Sequence, residues 1–172
     1  PYNFTISGTA DEIVADIVKG ELDIAAVPAN LASVLYNKTE GKISAAAINT
    51  LGVLYIVENG NTVNSLEDLK GKTVYSTGKG TTPEYALNYL LTSNGIDPQK
   101  DLTIEYKAES TEVAAVLAST PDAIGVLPEP FVTVAKSKNE NLRDAISFGD
   151  EWKKINGEEL VTGVLIVRNE FL

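Results

Sequence analysis

The chain has 172 residues, 44% of them hydrophobic, and its 24 acidic and 14 basic residues give a formal charge of −10. A surface this negative repels phosphate backbones and anionic headgroups, so neither nucleic acid nor a membrane surface is an expected partner. Cysteine and histidine are absent, which excludes disulfides, thiolate ligands, cysteine nucleophiles and the usual general base. Any catalysis would rest on Asp, Glu, Lys, Tyr or Ser alone, which weighs against an enzyme. We expect no catalytic residue, no metal site and no cofactor.

The first half of the chain alternates strand and helix patterns. Phe4 and Ile6 alternate with polar neighbours and predict a strand. A polar turn then leads to a helix, for which Thr9 and Glu12 have the spacing of a capping box, and Gly20 is a plausible stop. The elements that follow are predicted as a strand at 23–27, a helix at 30–36, and strands near 43–48 and 53–57.

The second half opens after a break at residues 59–61, where Ser65 and Asp68 make a capping pair for a short helix. The later elements are predicted as strands at 72–76, 102–106, 123–127, 144–148 and 160–167, with helices from Pro83, at 109–119, after Pro130 and around Trp152. Strands that alternate with helices indicate an α/β layered fold.

The chain also resembles itself at a shift of one hundred positions. Residues 4–28 align without a gap on residues 104–128, and Glu12 and Pro28 fall on Glu112 and Pro128. Both copies have the order strand, turn, helix, strand, proline. The repeat predicts two similar lobes with a boundary near 59–64, and interfaces between domains are where small ligands commonly bind.

The loop at residues 76–82, which reads STGKGTT, is the most informative stretch for function. It joins a strand to a helix, where unpaired backbone N–H groups favour an anion or an acceptor atom. Thr77, Gly78, Thr81 and Thr82 are the candidate ligand contacts; in the alternative interpretation the hydroxyls only cap their own helix. The loop is not a Walker loop, because the glycine required five positions before Gly71 is absent.

Four further residues are candidates because they follow predicted strands. Ser7 and Thr9 lie in the first strand-to-helix turn, and Asn30 and Thr50 lie at strand ends where open α/β sheets bind ligands. Glu129, between Pro128 and Pro130, matches the Pro28 region under the repeat and could accept a hydrogen bond from an amine. Simple capping of helices explains Thr9, Asn30 and Glu129 equally well.

Several motifs resemble those of type II periplasmic-binding-fold proteins of the nitrate/sulfonate/taurine/thiamine-precursor-like group. Residues 65–74, SLEDLKGKTV, resemble the "S-L-x-D-L-K-G-K-x-V" start of the second lobe. Residues 23–28, DIAAVP, are similar to a "D-[IV]-[AG]-x-x-P" strand, residues 127–131 resemble an "EP-[FY]" segment, and residues 164–172 resemble the returning strand. Their order and spacing cover nearly the whole chain.

The resemblance implies an α/β protein with two similar lobes of three-layer αβα architecture, joined by hinge strands near Val53–Val57 and Ile146–Phe148. Lobe one would comprise residues 1–60 plus 149–172 and lobe two residues 61–148. Family members are longer, so the chain looks like a fragment in which lobe one lacks its first strand and the C-terminal helices.

The function implied is that of an extracytoplasmic solute-binding protein of an ABC importer, not an enzyme. Such a protein binds a small polar or anionic solute between its lobes and delivers it to a permease, and a lipid anchor on the missing N-terminus would be its one link to the membrane. By position, the cleft would be lined by Ser7, Thr9, Asn30 and Thr50 from lobe one and by Thr77, Gly78, Thr81, Thr82 and Glu129 from lobe two.

Two alternatives share this fold. One is a carboxylate-dependent lyase or synthase, although the pyrimidine synthase of this fold uses a cysteine-rich motif and histidine, which the chain lacks. The other is the effector-binding domain of a LysR-type regulator, which a helix-turn-helix segment normally precedes. Turnover of a bound compound would indicate the first, and a DNA-binding helix pair the second.

Overall fold

The computed structural model describes residues 3–7 and 10–172, with only the backbone of residues 10 and 11. The helices are α1 Ala10–Lys19, α2 Ala29–Lys38, α3 Thr82–Ser93, α4 Ser110–Ser119, α5 Phe131–Lys138 and α6 Phe148–Asn156, with a short 3-10 helix at Leu66–Leu69. The strands are β1 Ile24–Pro28, β2 Ile43–Leu51, β3 Leu54–Asn59, β4 Thr73–Ser76, β5 Thr103–Tyr106, β6 Ile124–Pro128, β7 Leu142–Ser147 and β8 Val161–Arg168. Each helix and strand predicted after residue 9 is present.

The strand predicted at the start of the chain is wrong. Residues 3–7 have no regular structure, and the side chains of Phe4 and Ile6 are 93% and 99% exposed. A strand needs a neighbour for its backbone hydrogen bonds and a core for alternate side chains. Neither sheet of the described residues pairs with this segment, so the alternation of Phe4 and Ile6 is not sufficient to form a strand.

The chain forms two compact units, residues 1–51 with 161–172 and residues 52–160. This division differs from the predicted one, because segments 52–60 and 149–160 belong to the second unit. The reason is pairing and packing: β3 lies between β6 and β7, and Phe148 and Trp152 of α6 pack into the second unit's core. The predicted hinge segments 53–57 and 146–148 therefore both lie inside the second unit, and the chain passes between units at 51–52 and 160–161.

The first unit is a three-stranded antiparallel sheet with the order β1-β8-β2. Helices α1 and α2 cover one face, where Ile17 and Leu35 pack against Val27, Val164 and Ile166. On the opposite face no described helix packs, and Ile24 is 37% exposed. The described part of this unit therefore has two layers rather than the predicted three, as expected for an incomplete lobe.

The second unit has the predicted three-layer αβα architecture. Its five-stranded sheet has the order β5-β4-β6-β3-β7. Helices α3 and α6 pack on one face, around Leu87, Leu90 and Phe148. Helices α4 and α5 pack on the other face, around Val113 and Leu117. The central strand β6 is buried on both faces, which explains its uninterrupted apolar run.

The sequence repeat coincides with a repeated arrangement of elements. Helices α1 and α4, and strands β1 and β6, begin one hundred positions apart. Each repeated strand pairs antiparallel with a strand from a distant part of the chain: β1 with β8, and β6 with β3. A third strand completes each group, giving β1-β8-β2 and β6-β3-β7. Each unit thus contains the same arrangement of three antiparallel strands, as the prediction of two similar lobes requires.

A buried carboxylate holds the start of the second unit. Glu58, at the end of β3, is fully buried and accepts hydrogen bonds from the Thr62 N–H (2.7 Å), the Thr62 hydroxyl (2.6 Å), the Val63 N–H (3.2 Å) and the Arg143 guanidinium (2.7 Å). Burial alone would raise the pKa of Glu58, but these hydrogen bonds outweigh burial and hold it below its usual value. Glu58 therefore fixes residues 59–63 and their connection to β7.

We expect Glu58→Gln to lower the free energy of unfolding at pH 7 by about 2 kcal/mol, the scale of hydrogen bonds to a charged group. Because the folded pKa of Glu58 is depressed, its contribution is complete above the unfolded value of ~4.3 and is lost as the pH falls through the folded pKa. Urea unfolding between pH 7 and pH 2, followed by the fluorescence of Trp152, should show the gap between wild type and variant closing over that range.

The matched control is Glu67→Gln, which removes the same charge from an exposed ion pair with Lys70 and should change stability by under about 1 kcal/mol. A pH-independent gap for Glu58→Gln would contradict this role of the ionised carboxylate.

A second prediction concerns the contact between α4 and β6. A Cβ at Gly125 would lie 2.7 Å from Val113 Cγ1 and 3.3 Å from the Tyr75 carbonyl oxygen, so Gly125→Ala should destabilise the unit by about 1–3 kcal/mol through overpacking. Adding Val113→Ala removes the obstructing methyl groups. The double variant should therefore lose less stability than the sum of the two single losses in urea unfolding, and strict additivity would refute the steric explanation.

Candidate functional site

In the first unit, two predicted residues lie near the same edge of the sheet. Strands β1 and β2 both run antiparallel to β8, and Pro28 and Thr50 are each paired with Gly163. Asn30 follows Pro28 in the first turn of α2, so Asn30 and Thr50 both lie where β1 and β2 end. The backbone is crowded at this level, since a Cβ on Gly163 would lie 2.8 Å from Thr50 Oγ1.

The local roles of the first unit's candidates differ from one another. Asn30 is not the N-cap of α2, because that position belongs to Pro28. The Thr50 hydroxyl donates to Asn49 Oδ1 at 3.2 Å, and the Thr50 carbonyl accepts from Thr162. Ser7 is half-buried in the irregular segment before α1, and Thr9 lies outside the described residues.

The second unit also brings its candidates to one edge. Strands β4, β5 and β6 are parallel, so their carboxyl ends meet at the same side of the sheet. The loop 77–81 follows β4, and Glu129 follows β6. Thr77, Gly78, Thr81, Thr82 and Glu129 therefore lie at the edge where open α/β sheets bind ligands.

The loop after β4 is closed by its own hydrogen bonds. The Thr81 hydroxyl donates to the Gly78 carbonyl at 2.6 Å, and the Thr81 N–H donates to the same oxygen at 2.9 Å. Gly78 has φ +69°, and a Cβ there would lie 2.6 Å from Thr81 Oγ1. The tight turn thus accounts for the glycine at position 78.

Lys79, Glu84 and Tyr106 were not predicted as site residues, but they lie in or beside the loop after β4. Glu84 accepts the Gly80 N–H at 2.5 Å and is hydrogen-bonded to the Tyr106 hydroxyl. Burial and this bond to Glu84 raise the pKa of Tyr106 to about 12. The Lys79 ammonium lies 5.7 Å from the centre of the Tyr106 ring, within cation–π range. One signal was available: Thr81 and Glu84 have the spacing of a capping box.

Glu129 has a structural role in addition to its position at the edge. Its carboxylate accepts the Thr133 N–H at 3.2 Å and the Thr133 hydroxyl at 2.9 Å, so it stabilises the start of α5. The helix-start interpretation of Glu129 therefore holds, while contact with a ligand remains a prediction.

The side-chain and backbone groups at these two strand edges offer a solute hydrogen bonds rather than metal ligands. Among residues 3–7 and 10–172, no group of three or more acidic side chains is placed to hold a metal ion, and no helix is long and apolar enough to cross a membrane. A cavity of about 360 Å³ lies in the first unit near Gly20, Lys42 and Arg168, where β1 and β2 begin. It contains none of the predicted site residues.

Several solved structures resemble this fold. An ABC transporter protein from Parabacteroides distasonis superposes with a TM-score of 0.76 at 26% identity, covering 95% of this chain and 54% of that one. The aliphatic sulphonate-binding protein SsuA from Escherichia coli gives 0.72 at 13% identity, covering 93% and 52%. A putative sulfonate-binding SsuA from Methylobacillus flagellatus KT gives 0.70 at 22% identity, covering 92% and 46%. This chain thus spans about half the length of these proteins.

No curated protein matches the chain in sequence. Residues 1–170, however, match the sequence profile of a family described as "ABC transporter, phosphonate, periplasmic substrate-binding protein". This is a family of transport proteins rather than enzymes, and its periplasmic location agrees with the predicted extracytoplasmic one. With the shared type II binding fold, the match over nearly the whole sequence shows that the chain belongs to the family of periplasmic substrate-binding proteins of ABC transporters.

Proposed function

We propose that this chain binds a small polar or anionic solute outside the cytoplasm, leaves it chemically unchanged, and delivers it to the permease of an ABC importer. The observation that carries the proposal is the match of residues 1–170 to a family of periplasmic substrate-binding proteins. The sulfonate-binding proteins among the similar structures support the same conclusion at the level of the fold.

Each unit has its own proposed contacts with a solute. In the second unit, Thr77, Gly78, Thr81, Thr82 and Glu129 are supported by their shared position at the carboxyl edge of parallel strands. In the first unit, the proposal for Asn30 and Thr50 is supported by their position at the ends of β1 and β2, near Gly163. The proposal for Ser7 and Thr9 is supported by their place before α1 in the sequence. Motion of the two units about hinges would let such a protein capture and release its solute.

A lipid anchor is part of the proposal as the means of attachment to the membrane. Mass spectrometry of the protein purified from its native membrane tests this: an acylated N-terminus would support an anchor, and an unmodified one would contradict it.

The binding function is tested by thermal unfolding of the intact natural protein with nitrate, alkanesulfonates, alkylphosphonates, aminopyrimidines, amino acids and simple carboxylates. A solute at 1,000 times its Kd should stabilise the folded state by about 4 kcal/mol. We expect one class to raise Tm clearly and to be recovered unchanged. If no class raises Tm, or if the compound is consumed, the proposal fails.

The loop's part in binding is tested by Thr77→Val, which removes one hydroxyl at the carboxyl end of β4. Loss of one hydrogen bond should weaken binding of that solute by about tenfold, measured by calorimetry. Thr103→Val is the matched control, because Thr103 is exposed at the opposite end of the parallel strands. Equal effects of the two variants would exclude a specific contact at Thr77.

A further inference from the structure

At each of the three helices that begin at the carboxyl edge of the second unit, a glutamate accepts a backbone N–H in the first turn or just before the helix. In α3, Glu84 accepts the Gly80 N–H at 2.5 Å; in α4, Glu112 accepts the Ala108 N–H at 3.0 Å. In α5, Glu129 accepts the Thr133 N–H at 3.2 Å. N–H groups at helix starts are the usual binding groups for phosphate-like oxyanions. Here Glu129 occupies such a group in α5, while Glu84 and Glu112 place their negative charges in the first turns of α3 and α4 and bind the N–H two residues before each helix.

Glu84 is held by two contacts. Besides the Gly80 N–H, it is bonded to the hydroxyl of Tyr106, and that hydroxyl's pKa of about 12 keeps it protonated as a donor. Thr81 offers the solute no further donor, since its N–H and hydroxyl both donate to the Gly78 carbonyl. An oxyanion at this loop would approach the negative charge of Glu84.

Neither nearby cation forms an ion pair with Glu84 in the described part of the chain. The ammonium of Lys79 lies over the Tyr106 ring. The ammonium of Lys107 lies over the Tyr75 ring, 5.2 Å from its centre, and 3.5 Å from Glu105. Tyr75 and Tyr106 point to opposite faces of the sheet, because Tyr75 pairs with Glu105 whereas Tyr106 pairs with Ser76. Lys107 is thus held on the face away from Glu84.

We infer that Glu84 is a specificity-determining residue that makes the second unit select against phosphonate and sulfonate solutes, in favour of polar solutes without an oxyanion group. The inference rests on the proposed function and narrows its solute class. It also means that the ligand of this chain differs from the phosphonate and sulphonate ligands that the names of its family and of the SsuA proteins state.

The test compares wild type, Glu84→Gln and Glu67→Gln in calorimetric titrations of the intact natural protein with methylphosphonate and ethanesulfonate. Glu84→Gln removes the charge and keeps the shape, so affinity for both oxyanions should rise by at least about tenfold. Glu67→Gln makes the same change in the 3-10 helix before β4, at the opposite end of that strand, and should leave both affinities within about twofold of wild type.

The hydrogen bond from the Gly80 N–H to Glu84 can also be tested without any solute. In ¹⁵N-resolved NMR spectra, the amide proton of Gly80 should move upfield in Glu84→Gln, because it loses a charged acceptor, and should stay in place in Glu67→Gln.

The outcomes separate this inference from the proposed function. If wild type binds some other solute and Glu84→Gln gains oxyanion affinity, both stand. The inference alone is overturned if wild type binds methylphosphonate or ethanesulfonate tightly, if Glu84→Gln does not gain affinity, or if the Gly80 resonance does not move. If neither wild type nor variant binds any compound of the panel, the proposed function fails and the inference fails with it.

Discussion

Both units depend on one constraint: the central strand of each antiparallel group comes from a distant part of the chain. Strand β8 lies between β1 and β2, and β3 lies between β6 and β7. The first unit therefore closes only when residues 161–168 have returned to it, since β1 and β2 do not pair with each other. Such non-local pairing must overcome the entropy of long loops before it gains hydrogen bonds. It also sets the positions of Pro28 and Thr50 beside Gly163.

The carboxyl edge of the second unit links fold to binding. Parallel strands place three helix starts at one side of the sheet, and this would ordinarily create an anion-binding surface. In this chain Glu84, Glu112 and Glu129 place negative charges at these helix starts. Under the proposal that Glu84 sets the specificity, stability and selectivity rest on the same side chain.

The sequence predicted the element order and the repeat well, because both follow from local periodicity and turn residues such as Gly20 and Pro83. It predicted a strand at Phe4 and Ile6 wrongly, since alternation does not reveal whether a neighbouring strand exists. The predicted boundary between the units differs from the observed one for a related reason. The observed boundary depends on the pairing of β3 with β6, which is non-local. Glu84 was missed because a capping-box glutamate looks structural until Tyr106 and Lys79 are found beside it.

We propose that the chain binds its solute at the carboxyl ends of its strands. The most direct test is an NMR titration of the intact, isotope-labelled protein with the solute that it binds most tightly. We expect saturable shifts of the backbone amides at residues 77–82 and near Thr50, with the solute's own resonances unchanged after dissociation. Shifts confined to the cavity near Lys42 and Arg168, or chemical conversion of the solute, would contradict it.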